Sequence, residues 1–492
     1  MNRLHLCRLL LGGTLLAGCS GVDRLVRPSD PWEALRFDIE RILGDSIFVP
    51  TRASVKIVSL DRDEVLYERD SRLLMRPASN MKLLTSAAAL HILGTDYSFQ
   101  TGVLADSIDE KGTVHGNLYL KGYGNPDLTT ADLDTLVSRL RGAGIRKVTG
   151  NIVGDASFYD DRYWGEGWMW DDEPYSYEAG ISALSLNKNC VRVSVVPGAS
   201  HGDSVSVSVE PTTRYVSLLN TARTVTDSVA EPLEISRLYV NRLNIITVTG
   251  ETLAGPDTVE QLVTVWRPEL YAATVFKERL EADSIAVSGQ AAPGAALPWS
   301  RELARIRWPI DTMLINLNKV SDNLSAENTL KAISAKRGGI PGSARHGLSQ
   351  LHLVLDSMGI DTTLYYVVDG SGVSHYNLVT AEMLVRLLAG MARNSELFPL
   401  FYESLPIAGV DGTLKGRMNG TTAQGNLRAK TGSISGVSSL SGYVTTLDRE
   451  RFAFSILMQN FILPSRWYRN AQDAIGALLA NFSRTGRTMV SR

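Results

Sequence analysis

The sequence is poor in cysteine, in net charge and in histidines grouped for metal binding. Only Cys7, Cys19 and Cys190 occur among 492 residues, which is too few for a disulfide framework. The 7 histidines are scattered without metal-ligand spacing. The 50 basic and 52 acidic residues give a formal net charge of -2, so the chain lacks the basic surface that nucleic-acid binding requires. We therefore predict no metal, no cofactor and no nucleic-acid partner.

Long hydrophobic runs are also missing, because no stretch reaches the roughly 20 apolar residues of a membrane-spanning helix. The N-terminus instead combines Arg3 and Arg8 with the apolar stretch Leu9–Leu16 and small residues before Cys19. This arrangement resembles a bacterial lipobox and predicts a signal peptide over residues 1–18. Cys19 is then the lipidated first residue of an extracytoplasmic protein, on the periplasmic side, that a lipid anchor holds to a membrane. A plain signal peptide followed by an incidental cysteine is the alternative.

The composition, 44% hydrophobic and 21% charged, is that of a globular protein, and 492 residues suffice for two or three domains. Apolar periodicity predicts helices and strands at both ends of the chain and a β-rich middle with one helix. The predicted helices are 31–43, 79–94, 130–142, 322–337, 344–358, 380–394 and 466–482, and the predicted strands include the hairpin 53–68 and the segments 427–431, 437–445 and 452–458. We expect one α/β domain from residues 19–95 plus 301–492, whose sheet joins N- and C-terminal strands. The mainly β insert would cover 96–300, with a smaller module nested at about 170–245.

One short motif places a serine and a lysine on a predicted helix. In Ser79-x-x-Lys82 the two side chains lie one turn apart on the same helical face. A serine hydroxyl needs a base within hydrogen-bonding reach, and a buried lysine near other cations can stay partly neutral and accept its proton. At the helix start, the positive end of the helix dipole also favours an oxyanion. Ser79 is therefore the candidate nucleophile and Lys82 the candidate base.

The same spacing occurs again at Ser185-Leu186-Asn187-Lys188, so the motif alone is weak evidence. This second copy lies in the β-rich insert, and no helical pattern follows it. We interpret it as a turn.

Two further motifs follow Ser79 in the chain. Ser321-Asp322-Asn323 opens a predicted helix, and Lys430-Thr431-Gly432 ends a predicted strand. S-x-x-K, S-D-N and K-T-G in this order are the triplet of penicillin-binding proteins and serine β-lactamases. We expect the oxyanion hole to consist of the backbone N–H groups of Ser79 and Ser433.

The chemistry of the second and third motifs suits the cleavage of a peptide that ends in a carboxylate. Ser321 can relay a proton to the leaving amine, and Asn323 can hold the penultimate amide of the substrate. Lys430 and Thr431 offer a cation and a hydroxyl to the terminal carboxylate. Gly432 lets the substrate backbone lie against the strand edge.

The motifs and their spacing resemble the D-alanyl-D-alanine carboxypeptidase/endopeptidase family, the low-molecular-mass penicillin-binding proteins with a large insert after the S-x-x-K helix. The long separation of Ser79 from Ser321 fits that family, whereas simple β-lactamases keep these motifs closer. The resemblance covers about residues 45–460. It departs at Asn125, where aspartate is usual, and at His375-Tyr376, where arginine is common. Further stretches that fit the family are Gly122–Leu128, Ala183–Asn187, Asp369–Gly372, Leu405–Leu414 and Leu440–Tyr443.

The resemblance implies an α/β fold of the penicillin-binding and serine β-lactamase type, an antiparallel sheet with helices, that carries the mainly β insert. It implies an enzyme that acts on peptidoglycan stem peptides through an acyl-enzyme on Ser79, and that β-lactam antibiotics acylate. It also implies a pocket for the diamino-acid side chain of the stem peptide, where Asp155 would bind the free amino end. Capping of a turn by Asp155 is the alternative. Trp164, Trp168 and Trp170 either line the same wall or form a local hydrophobic cluster.

Two other functions stay open. A serine β-lactamase or related esterase would use the same acylation machinery, and rapid deacylation of penicillin would identify it. A non-catalytic wall-binding lipoprotein on an inactive penicillin-binding fold would show degenerate motifs, whereas all three motifs here are intact.

Overall fold

The computed structural model describes residues 27–486 of the chain. The predicted signal peptide, residues 1–18, and the predicted lipidation site, Cys19, lie outside the described residues. None of the helices between residues 27 and 486 is both long enough and apolar enough to cross a bilayer. These helices are α1 (Pro31–Leu43), α2 (Met81–Leu93), α3 (Thr130–Gly142), α4 (Pro268–Ala282), α5 (Ile310–Ile315), α6 (Asn323–Lys336), α7 (Ala344–Ser357), α8 (Ala381–Arg393), α9 (Phe398–Glu403) and α10 (Arg466–Ala480).

The strands concentrate at the two ends of the described chain and in its middle third. In chain order they are β1 (Arg52–Ser59), β2 (Glu64–Arg69), β3 (Ser98–Ile108), β4 (Thr113–Gly122), β5 (Lys147–Val148), β6 (Ile152–Asp155), β7 (Cys190–Val196), β8 (Ser206–Glu210), β9 (Ser217–Asn220), β10 (Arg223–Val225), β11 (Glu234–Arg237), β12 (Ile245–Thr249), β13 (Glu251–Leu253), β14 (Val259–Thr264), β15 (Ala286–Val287), β16 (Ala291–Pro293), β17 (Arg301–Pro309), β18 (Arg428–Ile434), β19 (Val437–Thr445) and β20 (Arg451–Gln459). The β-rich middle therefore lies where the sequence predicts it.

The first and last strands of the chain share one antiparallel sheet, as the sequence predicts. Its order is β18-β19-β20-β1-β2, so the N-terminal hairpin pairs with β20. Neighbouring residues of a strand point to opposite faces, and both faces of β20 are covered. Ala453 and Leu457 join the core that contains α2 and α8, whereas Phe452, Phe454 and Ile456 join the core of α1 and α10. The sheet is therefore the central layer of a three-layer domain.

Helix α2 is enclosed by this domain. Every residue of the helix except His91 is buried, and it packs against α6, α7 and α8. The helix ends at Gly94, whose φ of 83° is readily available to glycine. A helix held on all sides gives its N-terminal end, where Ser79 lies, a defined position.

The insert builds a sheet of its own. This seven-stranded sheet has the order β15-β5-β4-β3-β17, with β6 paired to β4 and to β16. Apolar residues of α3 and α4 pack on it, among them Leu136 and Phe276. Strand β17 pairs antiparallel with β3, so residues 301–309 extend the insert's sheet. We expected the chain to return to the catalytic domain at residue 301. This prediction is corrected, because β17 belongs to the insert's sheet and the chain returns only at α5.

Three small sheets form the nested part of the insert, in the orders β14-β7-β8, β11-β12-β9 and β10-β13. They span Cys190 to Thr264 rather than 170–245, because β14 returns to pair with β7. Cys190, the first residue of β7, is buried, and burial raises the pKa of its thiol to about 12.

The packing of β20 on α10 leads to a stability prediction. Phe454→Ala removes a fully buried ring, and we expect the free energy of unfolding to fall by about 3–5 kcal/mol, through lost burial and a residual cavity. Urea denaturation followed by tryptophan fluorescence measures the change. Val65→Ala is the control, because Val65 on the edge strand β2 is 45% exposed and its truncation should change the transition little. Equal shifts for the two variants would contradict this assignment of the core.

Candidate active site

Ser79 lies just before α2, in a single 3-10 turn formed by Ala78–Asn80. Ala78 has a φ of 47°, a left-handed conformation that residues other than glycine rarely adopt. Gly372 packs against the turn so closely that a Cβ at that position would overlap the carbonyl of Ala78. On the other side, Asn80 donates a hydrogen bond to Ser441 Oγ at 2.7 Å. The neighbours of the turn therefore hold a conformation that its own sequence does not favour.

Lys82 is fully buried, and its ammonium group contacts three acceptors. Its Nζ lies 3.0 Å from Ser79 Oγ, 2.6 Å from Asn323 Oδ1 and 2.8 Å from the carbonyl oxygen of Ser371. Burial lowers the pKa of Lys82 to about 8, although nearby carboxylates act in the opposite direction. A neutral Lys82 is therefore accessible near neutral pH, within reach of the Ser79 proton.

The carboxylates that act on Lys82 belong to Asp369, Asp322 and Glu327. Glu327 is fully buried on α6 and accepts the backbone N–H of Ser371 at 2.8 Å, so it orients the carbonyl that Lys82 contacts. Burial and then the charge of Asp369 raise the pKa of Glu327 to about 8. No role was predicted for Glu327 from the sequence, although the Asp369–Gly372 stretch that it supports is one of those that fit the family.

Ser321 lies in a sharp turn between a π-helical turn, Asn316–Val320, and α6. Its φ of 67° is left-handed, and the side chain of Asp322 caps α6 immediately afterwards. Ser321 Oγ accepts a hydrogen bond from Lys430 Nζ at 2.8 Å. Burial, followed by repulsion from Lys82, holds the pKa of Lys430 well below its usual value. The second and third motifs thus meet directly at this hydrogen bond.

Asn323 connects the catalytic domain to the insert. Its Oδ1 accepts from Lys82 Nζ at 2.6 Å, and its Nδ2 donates to the carbonyl oxygen of Tyr177 at 2.7 Å. A substrate amide can bind Asn323 when it replaces the Tyr177 carbonyl as the acceptor.

Strand β18 brings the third motif beside Ser79. Thr431 Oγ1 donates to Thr413 Oγ1 at 2.7 Å, so a second hydroxyl stands next to the first. Ser433 is exposed and lines the same cleft as Ser79, where its backbone N–H can contribute to an oxyanion hole. The role of Thr413 was not assigned from the sequence, although it belongs to one of the stretches that fit the family.

The structure gives a different reason for a glycine at position 432 from the one that the motif suggests. A Cβ at this position would lie 2.7 Å from the carbonyl oxygen of Pro77 and 2.9 Å from the backbone N of Ser79, and would overlap Ser439 Oγ. The missing side chain makes room for the enzyme's own nucleophile turn. The prediction that Gly432 is needed for the substrate backbone is therefore incomplete.

A cleft of about 300 Å³ opens in front of Ser79. The insert supplies Met169, Asp172, Tyr177 and Glu178 to its wall. Asp172 Oδ1 accepts from Tyr177 Oη at 2.7 Å. Burial, and then the charge of Asp172, raise the pKa of Glu178 to about 8. Of these two acidic side chains in the cleft wall, Glu178 is buried and Asp172 is partly exposed. The other lining residues are Ser79, Asn323, Gly372, Val373, His375, Ser433, Ile434 and Ser435.

Asp155 is not part of this cleft wall. It is fully buried at the end of β6, where its carboxylate accepts the backbone N–H groups of Ser157 at 2.9 Å and Ala296 at 2.8 Å. Lys121 Nζ pairs with it at 3.0 Å. A carboxylate with these partners stabilises the turn after β6, so the expected contact of Asp155 with a substrate amine is corrected to a structural role.

The three tryptophans of the insert loop lie in different environments. The indole N–H of Trp168 donates to Asp369 Oδ2 at 3.1 Å, whereas Trp164 stacks on Trp266 with ring centroids 5.6 Å apart. Trp170 is 70% exposed. Trp168 therefore supports the site, and Trp164 belongs to a local aromatic cluster.

Taken together, Ser79 and Asn323 line one cleft, and the hydroxyls of Ser79 and Ser321 are each hydrogen-bonded to a buried lysine. Between residues 27 and 486, no group of three or more His, Cys, Asp or Glu residues is arranged to hold a metal ion. The arrangement suits nucleophilic attack by Ser79 on a carbonyl carbon, with proton transfer through amine and hydroxyl groups.

Comparisons with known proteins agree with this geometry. The sequence matches the D-Ala-D-Ala carboxypeptidase 3 (S13) family over residues 35–482. It is 37% identical over 465 residues to a D-alanyl-D-alanine carboxypeptidase of Actinomadura sp., a match that covers 91% of this chain and 85% of the relative. It is 28% identical over 399 residues to D-alanyl-D-alanine carboxypeptidase DacB of Haemophilus influenzae, with 80% and 83% covered.

The fold is also similar to solved structures. The crystal structure of penicillin-binding protein 4 (dacB) from Haemophilus influenzae aligns with a TM-score of 0.80 and 25% identity, over 89% of this chain and 97% of that chain. A complex of the same protein with a β-lactam aligns with a TM-score of 0.76 and 23% identity, over 90% and 100% of the two chains. These similarities confirm the predicted α/β fold of the penicillin-binding type.

The crowding at Gly432 leads to a prediction about catalysis. In Gly432→Ala, the new methyl group pushes β18 away from the Ser79 turn, and we expect the rate of acylation by penicillin to fall about a hundredfold, because small displacements of reacting groups cost this much. Stopped-flow fluorescence with a labelled penicillin measures the rate. Gly416→Ala is the control, because nothing lies within 4 Å of a Cβ at Gly416. An unchanged rate in Gly432→Ala would show that the strand adapts without loss.

Proposed function

The chain belongs to the D-Ala-D-Ala carboxypeptidase 3 (S13) family, and on this basis we propose that it is a serine-type D-Ala-D-Ala carboxypeptidase/endopeptidase of peptidoglycan stem peptides with Ser79 as its nucleophile. The observation that carries the proposal is the contact of Ser79 Oγ with Lys82 Nζ at 3.0 Å, with the pKa of Lys82 lowered to about 8. A base whose pKa lies near the working pH is effective in general base catalysis. β-Lactams, which carry an amide in a strained ring, acylate the same serine.

Acylation begins with neutral Lys82. It accepts the Ser79 proton while Oγ attacks the carbonyl carbon of the D-Ala-D-Ala bond, and the oxyanion is stabilised by the backbone N–H groups of Ser79 and Ser433. The tetrahedral intermediate then collapses and the C–N bond breaks. The proton that Lys82 received passes through Ser321, which Lys430 contacts at 2.8 Å, to the leaving amine, so Lys82 is neutral again. The products of this step are a free terminal D-amino acid and an ester on Ser79.

Deacylation uses the same groups. A water molecule gives a proton to neutral Lys82 and attacks the ester carbonyl, and the proton passes to Ser79 Oγ as the ester bond breaks. Asn323 holds the penultimate amide during both steps. The hydroxyls of Thr431 and Thr413, with the cation of Lys430 when it is protonated, receive the terminal carboxylate.

The insert supplies the contact to the diamino-acid side chain. We assign this role to Asp172, because it lines the cleft together with Tyr177, whereas Asp155 is fully buried and does not line it. A charge-assisted hydrogen bond from the free ammonium to a carboxylate is worth about 1.5–3 kcal/mol. The site would therefore prefer stem peptides with a free amino end.

The position of the protein in the cell follows from its N-terminus. The lipobox-like sequence before Cys19 supports a signal peptide over residues 1–18 and a lipid anchor on Cys19. The enzyme would then act on the outer side of the cytoplasmic membrane, where peptidoglycan lies. Mass spectrometry of the N-terminal peptide from membranes tests this point.

Intact-mass spectrometry with penicillin tests the catalytic proposal. We expect the purified protein to gain the mass of one drug molecule and to keep it for minutes to hours, and Ser79→Ala to gain none, since the nucleophile is missing. Rapid hydrolysis of the drug without an adduct would identify a β-lactamase instead. If neither adduct nor hydrolysis occurs, the chain is a non-catalytic wall-binding protein.

The assignment of Asp172 is tested with two peptides that differ only in acetylation of the side-chain amine. For Asp172→Asn we expect kcat/KM for the free-amine peptide to fall about tenfold, the cost of one charged hydrogen bond, and kcat/KM for the acetylated peptide to stay the same. Asp171→Asn, the exposed neighbour, is the matched control. An equal loss for both peptides would show that Asp172 supports the fold of the loop and does not bind the amine.

A further inference from the structure

The second S-x-x-K sequence, Ser185–Lys188, forms a turn, as predicted, and the turn is an unusual one. Asn187, Lys188 and Asn189 have φ values of 48°, 59° and 56°. Single asparagines adopt the left-handed region readily, but three consecutive residues without a glycine, one of them a lysine, are costly. Such strain persists only where the surroundings over-determine it, and it concentrates at functional sites.

The surroundings of this turn are well ordered. Asn189 accepts the backbone N–H of Leu186 at 3.0 Å and donates to the carbonyl of Gly180 at 2.7 Å. Asn187 donates to Thr130 Oγ1 at 2.8 Å. Both asparagines thus stabilise the turn through these hydrogen bonds. Lys188, the residue between them, makes its contacts outside the turn.

Lys188 reaches across the boundary between insert and catalytic domain. It forms an ion pair with Asp127 of the insert, and its Nζ lies 3.4 Å from Asp322 Oδ1 and 3.4 Å from Ser325 Oγ. Burial lowers the pKa of Lys188, but the charges of Asp322 and Asp127 outweigh it and raise the pKa, so the ammonium stays charged. Asp322 is the middle residue of the second catalytic motif.

The same ion pair also contacts the segment that precedes Ser321. The second oxygen of Asp127 accepts from Asn316 Nδ2 at 2.7 Å, and the carbonyl of Asn316 accepts the backbone N–H of Asp322 at 3.1 Å. The π-helical turn before Ser321 and the helix cap after it are therefore tied to one insert ion pair. Between these two ties lies Ser321, with its left-handed φ of 67°.

We infer that Lys188 is a positioning residue, which acts through Asp322 to hold Ser321 and Asn323 in register with Ser79. The inference rests on the proposed function, because it concerns the same site. It explains the strained turn as the means by which the insert completes the catalytic motif. It also gives the second S-x-x-K sequence a role that is distinct from nucleophilic catalysis.

The charge of Lys188 also acts on the base. The charged groups in contact with Lys188 are Asp127 and Asp322, and the thiol of Cys190 also interacts with its charge. The charge of Asp322 in turn raises the pKa of Lys82. The other charged groups that act on Lys82 are Asp369, Glu327 and Lys430. Removal of the Lys188 charge leaves Asp322 uncompensated, so the pKa of Lys82 rises and less of it is neutral at a given pH. A residue that only stabilised the fold would leave this pKa unchanged.

The experiment compares variants of the full chain by their rate of acylation with a fluorescent penicillin over a range of pH. For Lys188→Met we expect the rate to fall about ten- to a hundredfold, since the hydroxyl and amide of the second motif lose their register. We also expect the midpoint of the acid limb, near 8 in the wild type, to move to higher pH. Lys188→Arg keeps the charge and should recover most of the rate.

Lys277→Met is the matched control, because it removes a lysine of the insert whose ion pair with Glu281 at 2.6 Å lies on α4. It should leave both the rate and the pH midpoint unchanged. If Lys188→Met fails to fold, Asp127→Asn, which loses one charge of the ion pair, should still lower the rate severalfold.

Two outcomes would overturn the inference, and a third would contradict the proposed function instead. A wild-type rate and pH midpoint in Lys188→Met, with only a lower melting temperature, would overturn it and leave a structural role. If Lys188→Met fails to fold and Asp127→Asn is used instead, a wild-type rate in Asp127→Asn would overturn the inference as well. Failure of the wild-type protein to acylate at Ser79 would instead contradict the proposed function, so the two failures are distinguishable.

Discussion

The burial of two lysine ammonium groups in one site is the constraint on which this structure depends. Lys82 and Lys430 are both completely buried, and the transfer of an ammonium from water to a protein interior costs several kcal/mol even after relaxation. Their environments differ. Lys82 has carboxylates nearby and a pKa of about 8. Lys430 has a hydroxyl and a carbonyl as partners, and burial and the repulsion of Lys82 hold its pKa well below the usual value. The fold therefore places amines with lowered pKa values beside the hydroxyls of Ser79 and Ser321, which exchange protons in the proposed mechanism.

Much of the surrounding architecture serves to keep these amines out of water. Helix α2, which is buried except at His91, carries Lys82, and strand β18 carries Lys430. The buried Glu327 orients the carbonyl that Lys82 contacts. The insert closes the remaining side, since Tyr177 supplies an acceptor for Asn323 and a wall of the cleft. The catalytic domain alone would leave this side open, so the insert is part of the site.

The sequence was sufficient for the catalytic motifs because their information is local. Ser79 and Lys82 are one helical turn apart, and the order of the motifs identifies the fold. Asp172 could not be found in this way, since it is the last residue of a short 3-10 turn in an irregular loop without periodicity. Asp155 was favoured because a resemblance in sequence does not reveal on which side of a strand a carboxylate lies.

Other features were missed because they depend on pairing between distant segments. The boundary at residue 301 failed because β17 pairs with β3, some two hundred residues earlier in the chain, which no local pattern indicates. Glu327 was missed because a helix buried on all sides shows no polar face, and its charged residue looks like a surface one. The reason for Gly432 emerged only when the Ser79 turn was seen against it.

The environment of Cys190 has a chemical consequence under the proposal that the protein works outside the cytoplasm. It is a free cysteine, and a lone thiol in an oxidising compartment risks cross-linking to other chains. The reactive species in such exchange is the thiolate, and with a pKa of about 12 almost none is present at physiological pH. Because it is also shielded from solvent, Cys190 can remain reduced without a partner. The fold therefore protects the one free thiol that lies between residues 27 and 486.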